Sequence, residues 1–315
     1  MRAKGINYDT GFLHKGKTSR PTFDAAIVAR EVAIIRDDLH CNAIRITGGD
    51  PARLEVAATL AMQAGLEVWF SPFTSDLTAD QMCELLVDCA VRAERLRQQG
   101  AAIVLVLGAE ISLLNKGFMP GEALGERMKL LNDLDRLRAI MPQVPAQVNA
   151  FFSKAVPLVR AHFGGQITYA AMPFEGVDWQ LFDIVALDLY RSEEVAEHFA
   201  SSISTLVAQG KAVAITEFGT TTYAGSAARG ARSGEILQWN PDTGEPQELD
   251  GAYTRNEEEQ ATYLRELLEI FDATGVDSTF VFTFALHQLV HRPERGIDFD
   301  LASYGVVKVY EDRHG

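Results

Sequence analysis

The sequence predicts an α/β protein built as a (β/α)8 TIM barrel, and three observations carry that expectation. Short runs of β-branched and small apolar residues, such as Ile103-Val104-Leu105-Val106-Leu107 and Val213-Ala214-Ile215-Thr216, lack the in–out alternation of a half-wet strand. Strands of that kind are buried on both faces, as parallel strands are. Amphipathic stretches separate them, so that strand and helix alternate eight times at roughly 25–45 residues per unit. Finally, no Gly-rich turn follows the first strand, which argues against a doubly wound nucleotide-binding sheet. No composition break marks a linker, and residues 1–315 read as one barrel domain.

Taken in order, GINYDTGF is the first strand and brings Asn7, Tyr8 and Asp9 to its end. After a loop with His14 and Lys15, Pro21-Thr22 opens an amphipathic helix through FDAAIVAREVAIIRDDLH. CNAIRITGG is the second strand, begun by Cys41 and ending in Arg45-Ile46-Thr47; Asp50-Pro51 then caps a helix to about Ala64. LEVWFSPF is the third strand, with Trp69 and Phe73, and Thr78 to about Gln99 the third helix. AAIVLVLGAEIS is the fourth strand and ends at Glu110. Helical sequence from Glu122 to about Ile140 is broken by Pro142 and Pro145, and a second helix, about 147–163, shares the same interval.

QITYAAMPF and FDIVALDLYRS are strands five and six, bearing Met172, Glu175, Asp188 and Tyr190. Glu193 to about Ala208 is helical, with Gly210 ending it. KAVAITEFGTTTY is the seventh strand and carries Glu217; STFVFTFALH is the eighth, with Phe284 and His287, after the helix EEEQATYLRELLEIFDATG. Residues 224–255 exceed a minimal barrel loop. Asn240-Pro241-Asp242-Thr243-Gly244 is a turn signal between short strand-like runs, so this insertion is expected to be a β-hairpin-like lid. Trp239 within it either touches a ligand or anchors the hairpin to the body.

Composition narrows the function classes. Of 315 residues 47% are hydrophobic and 23% charged, as in a globular enzyme. The net charge of −14 argues against nucleic-acid and anionic-membrane partners, which call for clustered Lys and Arg. Cys41, Cys83 and Cys89 have no CxxC spacing and read as small buried apolar residues. The start MRAKGINYDTGF has no signal-peptide core and no run is long enough to cross a bilayer, so the expected compartment is the cytoplasm. No cofactor is expected. The oligomeric state is not legible.

Parallel barrels place their chemistry at the C-terminal ends of strands. Two glutamates stand there, Glu110 on strand four and Glu217 on strand seven. Each could simply cap a loop. As a pair about 5–5.5 Å apart, however, two carboxyl groups perform double-displacement glycoside hydrolysis. The attacking carboxylate must stay ionised, and Arg45 and Tyr190 are residue types that would hold it so; the acid must keep its proton.

The order Arg45 on strand two, Glu110 on strand four, Tyr190 on strand six and TEFG with Glu217 on strand seven resembles the clan A retaining glycoside hydrolases. The resemblance implies Glu217 as nucleophile, Glu110 as acid/base, and Arg45 and Tyr190 as supports of the nucleophile. Around them, Asp188, Asn7, Tyr8, Asp9, Trp69, Trp239, Phe284 and His287 are candidate substrate-binding or supporting residues. KGINYDTGF and FDLASYGVVK bear a looser likeness to bacterial proteins labelled abortive-infection or glycosidase-like. Two departures bear on substrate. The clan's Asn before the acid/base, which contacts the sugar 2-hydroxyl, is here Ala109, and its strand-eight Trp platform is replaced by Phe282-Thr283-Phe284-Ala285-Leu286-His287. The expected substrate is therefore a small glycoside or glycosylated metabolite.

Other classes compete. His287, His291, Asp298 and Asp300, or Asp9 and His14, could be imagined around a metal, but HExxH is lacking and Pro293 breaks the loop, so no metal site is expected. A non-catalytic sugar- or nucleoside-binding barrel in defence or regulation, and a lyase using the same carboxylates, remain alternatives.

Overall fold

The computed structural model describes residues 1–131, 133–240, 243–294 and 296–311. Its main sheet has eight strands: Ala3–Asp9, Ala43–Gly48, Glu67–Pro72, Ile103–Ala109, Gln166–Ala170, Val185–Asp188, Val213–Phe218 and Ser278–Val281. Numbered along the chain, they lie in the order five, four, three, two, one, eight, seven, six. The two ends of that order, strands five and six, meet through a parallel bridge between Ala171 and Leu187. This is a nearly closed (β/α)8 barrel. Every residue of Ala43–Gly48, Ile103–Ala109 and Val213–Phe218 is buried, which is why their sequences do not alternate. Each buried Val, Ile or Leu contributes roughly 1.5–3 kcal/mol to holding these strands in place.

Chain contacts divide the molecule into two compact units, Thr10–Asp188 and Met1–Asp9 with the residues from Leu189 onward. In the first, side-chain caps fix where helices start. Asp24 accepts the N–H groups of Ala26 and Ile27, so the first helix is Ala25–Asp37 and begins later than Pro21-Thr22 suggests. Asp50 caps Pro51–Gln63, and Thr78 with Gln81 forms a capping box before Ala79–Gln98. The Cys41 N–H bonds back to Ile35, so Cys41 belongs to the helix–strand turn and the strand begins at Ala43. Cys89 is buried, whereas Cys41 and Cys83 are only half-buried. A small hairpin, Leu13–His14 with Lys17–Thr18, was not foreseen.

The helical sequence before the prolines ends at Ile140, as expected, in the helices Leu124–Leu131 and Leu134–Ile140, and the second helix is Val144–Arg160. Pro142 and Pro145 stand in the first turns of the intervening 3-10 segment, Met141–Gln143, and of that second helix, where a missing N–H costs nothing. The eightfold alternation is also incomplete. Strands five and six are joined only by the 3-10 turns Pro173–Glu175 and Trp179–Leu181. Among the described residues the eighth strand is followed by a single 3-10 turn, Phe299–Ala302.

In the second unit the helices are Ala196–Val207, entered through the 3-10 turn Glu193–Val195, and Glu257–Thr274, closed by Gly275 at φ 83°. The expected insertion is present as a 3-10 segment, Ala227–Ile236, and an antiparallel hairpin of Leu237–Trp239 with Pro246–Leu249. Asn240 shapes its turn by accepting the Thr243 and Gly244 N–H groups; Pro241 and Asp242 lie outside the described residues. Ile236, Leu237 and Leu249 root the hairpin on a cluster with Tyr223, Leu289, Phe299 and Leu301. No helix among the described residues is long and apolar enough to cross a membrane.

Candidate active site

In the unit Thr10–Asp188 the fourth strand stops one residue short of Glu110. Its register shifts between Val106 and Ala109, Gly108 adopts φ 94°, and Glu110 itself sits in the left-handed region at φ 44°, ψ 40°. A left-handed non-glycine residue costs on the order of 1–2 kcal/mol and persists only where its surroundings impose it. A methyl group on Gly108 would come within 3.1 Å of the Ile111 side chain, so glycine is needed for space as well as for backbone angle. The Glu110 N–H bonds to Ala170 of strand five, and its carbonyl accepts from Leu113 and Leu114 to start the short helix Ile111–Leu114.

Behind that turn lies Glu175, fully buried. Its carboxyl accepts the Ser112 N–H at 3.0 Å, the Tyr169 hydroxyl at 2.7 Å and the Met172 N–H at 2.9 Å. The Tyr169 hydroxyl in turn accepts the Ile111 N–H at 2.7 Å. Burial raises the Glu175 pKa, against the pull of its hydrogen bonds, and burial followed by the Glu175 charge pushes the Tyr169 phenol well above its ordinary value. Glu175 is thus a support and not a solvent-facing acid.

Arg45 stands inside the second strand rather than at its end, and is fully buried. Its Nε donates to Ser71 Oγ at 3.2 Å and its Nη1 lies 3.9 Å from Asp188 Oδ1, also buried. A guanidinium and a carboxylate removed from water together avoid the cost of burying either alone. Trp69 has no exposed surface, and its indole N–H bonds to Glu67 at 2.8 Å. It is a core side chain and not a sugar platform.

In the other unit Glu217 is the penultimate residue of the seventh strand, at a register shift in its pairing with the eighth, and is 6% exposed. Its Oε2 accepts the Tyr190 hydroxyl at 3.1 Å, and its backbone carbonyl accepts the Leu189 N–H at 2.8 Å. Asn7, a candidate substrate-binding or supporting residue, is buried. Its amide donates to Thr216 O at 2.9 Å, with Val281 O at 3.2 Å and Phe280 O at 3.4 Å, while its carbonyl accepts from Phe284 N–H and Thr283 hydroxyl. Asn7 is therefore a stitch between strand ends. Tyr8 and Phe284 are buried against each other, rings 6.0 Å apart, and belong to the core. Asp9 and His287 are half-buried, and Trp239 is 41% exposed on the hairpin.

Two aromatic residues that sequence reasoning did not single out complete this side. Tyr304 packs edge-on against Tyr190 at 5.9 Å and against Phe282 at 5.6 Å. Its hydroxyl donates to Ala231 O and accepts the Gly234 N–H, tying down the 3-10 part of the insertion. Burial pushes the Tyr304 phenol up to about 12. Gly219 explains the TEFG pattern, since a Cβ there would lie 2.4 Å from Phe282 O. The only hint in the sequence was aromatic residues at strand eight and in the terminal FDLASYG.

His291, Asp298 and Asp300 do bring ligand atoms within 4.8 Å of one another. Arg255 already supplies their cation: its guanidinium donates to Asp298 and Asp300 at 2.7 Å each and lies 3.2 Å from His291 Nδ1. Burial would raise the Asp298 pKa, but hydrogen bonds from Arg255, Arg292 and His291 bring it below the ordinary value, whereas for Asp300 burial prevails. This is a buried ion cluster at the base of the insertion.

The fold is similar to that of several solved structures. It is similar to a GH113 β-1,4-mannanase at TM-score 0.61 and 15% identity, over 97% of this chain and 95% of that one. It is similar also to Bacteroides uniformis β-glucuronidase 2, in a structure covalently bound to cyclophellitol-6-carboxylate aziridine, at TM-score 0.56 and 16% identity. There the match covers 98% of this chain but only 33% of the glucuronidase. A third neighbour, β-galactosidase from the psychrophilic Marinomonas ef1, gives TM-score 0.54 at 12% identity, covering 94% of this chain and 55% of that one. At such identities the likeness is one of fold, and the fold is glycosidase-like. No protein-family model matches the chain and no curated protein matches it in sequence, so the looser likeness to abortive-infection proteins gains no support.

Proposed function

We propose that this protein is a retaining glycoside hydrolase acting on a small glycoside, with Glu217 as nucleophile and Glu110 as acid/base. The observation that carries the reading is the Tyr190 hydroxyl on Glu217 Oε2 at 3.1 Å, on a carboxylate nearly buried at the end of the seventh barrel strand. A donor fixed on one oxygen holds the carboxyl group in one orientation, as a nucleophile aimed at an anomeric carbon requires. The glycosidase-like fold supports the reaction class, and one fold neighbour is itself covalently bound to a cyclophellitol-type aziridine. In the first step Glu217 would form a bond to the sugar while Glu110 gives its proton to the departing oxygen. In the second, Glu110 takes a proton from water as that water displaces Glu217. Tyr190, Tyr304 and Phe282 would offer one apolar face, suited to a single sugar ring more than to a polymer.

The test is trapping. The protein is incubated with dinitrophenyl 2-deoxy-2-fluoro glycosides of several sugar types, and with unmodified aryl 2-deoxyglycosides because Ala109 replaces the residue that would meet a 2-hydroxyl. A mass increase mapped to Glu217 and lost in Glu217→Gln is the expected result. No adduct and no turnover across the panel would transfer the case to a sugar-binding barrel or to non-glycosidic chemistry.

A further inference from the structure

Buried charges outside the proposed chemistry converge on one place, the four-residue helix Ile111–Leu114 that starts at Glu110. A helix of one turn cannot hold itself, since nucleation costs more than one turn of hydrogen bonds returns. Both of its ends are nevertheless buried, so its unpaired N–H and C=O groups need partners. At the N–H end the partners are Glu175 for Ser112 and Tyr169 for Ile111. At the C=O end Arg127, whose side chain has no exposed surface, donates Nε to Leu113 O at 2.6 Å and Nη2 to Leu114 O at 2.8 Å. Its remaining donors go to Gly121 O at 2.8 Å and Asp76 Oδ1 at 2.6 Å. A carboxyl group that accepts at the N-terminus and a guanidinium that donates at the C-terminus satisfy the groups a helix leaves open at its ends.

We propose that Glu175 with Tyr169, and Arg127 from the opposite end, form a clamp whose purpose is to impose the left-handed backbone of Glu110 and so fix the direction of its carboxyl group. They are positioning residues. None of them needs to meet substrate, and the arrangement explains why a fully buried glutamate is kept next to a barrel strand end where a hydrophobic residue would pack at less cost. Its catalytic consequence rests on the reading of Glu110 as acid/base; the clamp itself does not.

The experiment therefore has two arms, run on the full chain as wild type, Tyr169→Phe and Glu175→Gln. Hydrogen exchange reads the clamp. Protection of the amides of Ile111–Leu114 is expected to fall about tenfold or more, the effect of losing one hydrogen bond that involves a charged group, while the helix Ala79–Gln98 keeps its protection. Unchanged protection at Ile111–Leu114 in both variants overturns the clamp whatever the activity. Tyr169→Phe removes a single hydroxyl and stands in should Glu175→Gln fail to fold. Kinetics reads the role. With a dinitrophenyl leaving group, which needs no proton, the fluoroglycoside should label Glu217 at a rate within about threefold of wild type, while phenyl glycoside turnover falls on the order of 10–100-fold, part of a general acid's contribution. Exogenous azide should restore part of that loss. Equal losses with both leaving groups overturn the assigned role. A wild type that forms no adduct refutes the glycosidase reading and its catalytic corollary, and the clamp is then upheld or overturned by hydrogen exchange alone.

Discussion

Glu217 and Glu110 terminate barrel strands by different means. Glu217 lies within its strand, where the pairing with strand eight shifts register between Ile215 and Phe218, and its neighbourhood is stitched by a buried amide, Asn7, and a phenol, Tyr190. Glu110 lies just past its strand, in a left-handed turn reached through Gly108 and followed by a one-turn helix held at both ends by buried polar side chains. A residue inside a strand has paired backbone on both sides of it to aim its side chain. A turn has no such guide, so the aim must come from packed neighbours, and more of the protein is committed to it. In the roles proposed for them, the nucleophile needs one direction of attack, whereas the acid/base serves the leaving group and then water, for which a rigid turn outside the sheet is a suitable support.

The largest expected effect breaks the Glu217 side. Glu217→Gln keeps the Tyr190 contact in shape but removes the attacking charge, and turnover should fall on the order of 10⁴-fold or more, read as kcat on whichever aryl glycoside the wild type accepts. A loss under tenfold would remove Glu217 from the nucleophile's place. Tyr190→Phe sharpens the same side. It deletes one hydrogen bond to a carboxylate, worth about 1.5–3 kcal/mol, and should slow glycosyl-enzyme formation by roughly 10–100-fold with little change in unfolding midpoint. An equal loss of stability and rate would mean that the phenol is packing rather than chemistry.

How much of this was legible in the sequence follows the same division. Lost alternation identified the buried strands, and TEFG and the Glu at the end of VLVLGAE could be read because strand ends have a fixed place in a barrel. The single-domain reading of residues 1–315 rests on continuity of composition alone. What depended on tertiary packing was misjudged. Trp69 and Asn7 could be read as ligand contacts or as supports and are buried supports, since the sequence does not tell an inward strand residue from one that reaches the mouth. Phe282 and Tyr304 were passed over because their meeting with Tyr190 joins segments far apart in the chain. The Arg255 cluster looked like scattered acids and histidines until the arginine among them was placed.

On the Glu110 side the next effect is smaller and falls on stability first. Gly108→Ala puts a Cβ at φ 94° and within 3.1 Å of Ile111, costing about 1–2 kcal/mol or more in urea unfolding. The same change should lower phenyl glycoside turnover more than dinitrophenyl glycoside turnover, because it displaces the acid and not the nucleophile. Loss of stability with both substrates turned over as in wild type would show that the turn does not aim Glu110.

The smallest effect is a pH dependence, and its sign is set by Glu175. Burial raises this carboxyl above its unfolded value, so its contribution to stability is fully present below the unfolded pKa and is lost as pH rises through the folded one. Glu175→Gln has no proton to lose and carries none of that dependence. Wild type should therefore exceed Glu175→Gln in stability by most under acid conditions, and the gap should narrow as pH climbs through and beyond the ordinary carboxylate range. Paired urea midpoints across that range would measure it. A gap that widens with pH would mean that the hydrogen bonds from Ser112, Tyr169 and Met172 outweigh burial and keep Glu175 ionised, which would turn the N–H end of the clamp into a true ion–dipole contact. Either sign leaves the contrast with Glu217 intact, because there the fixed donor is a phenol half-open to solvent and the carboxyl group itself is the proposed nucleophile.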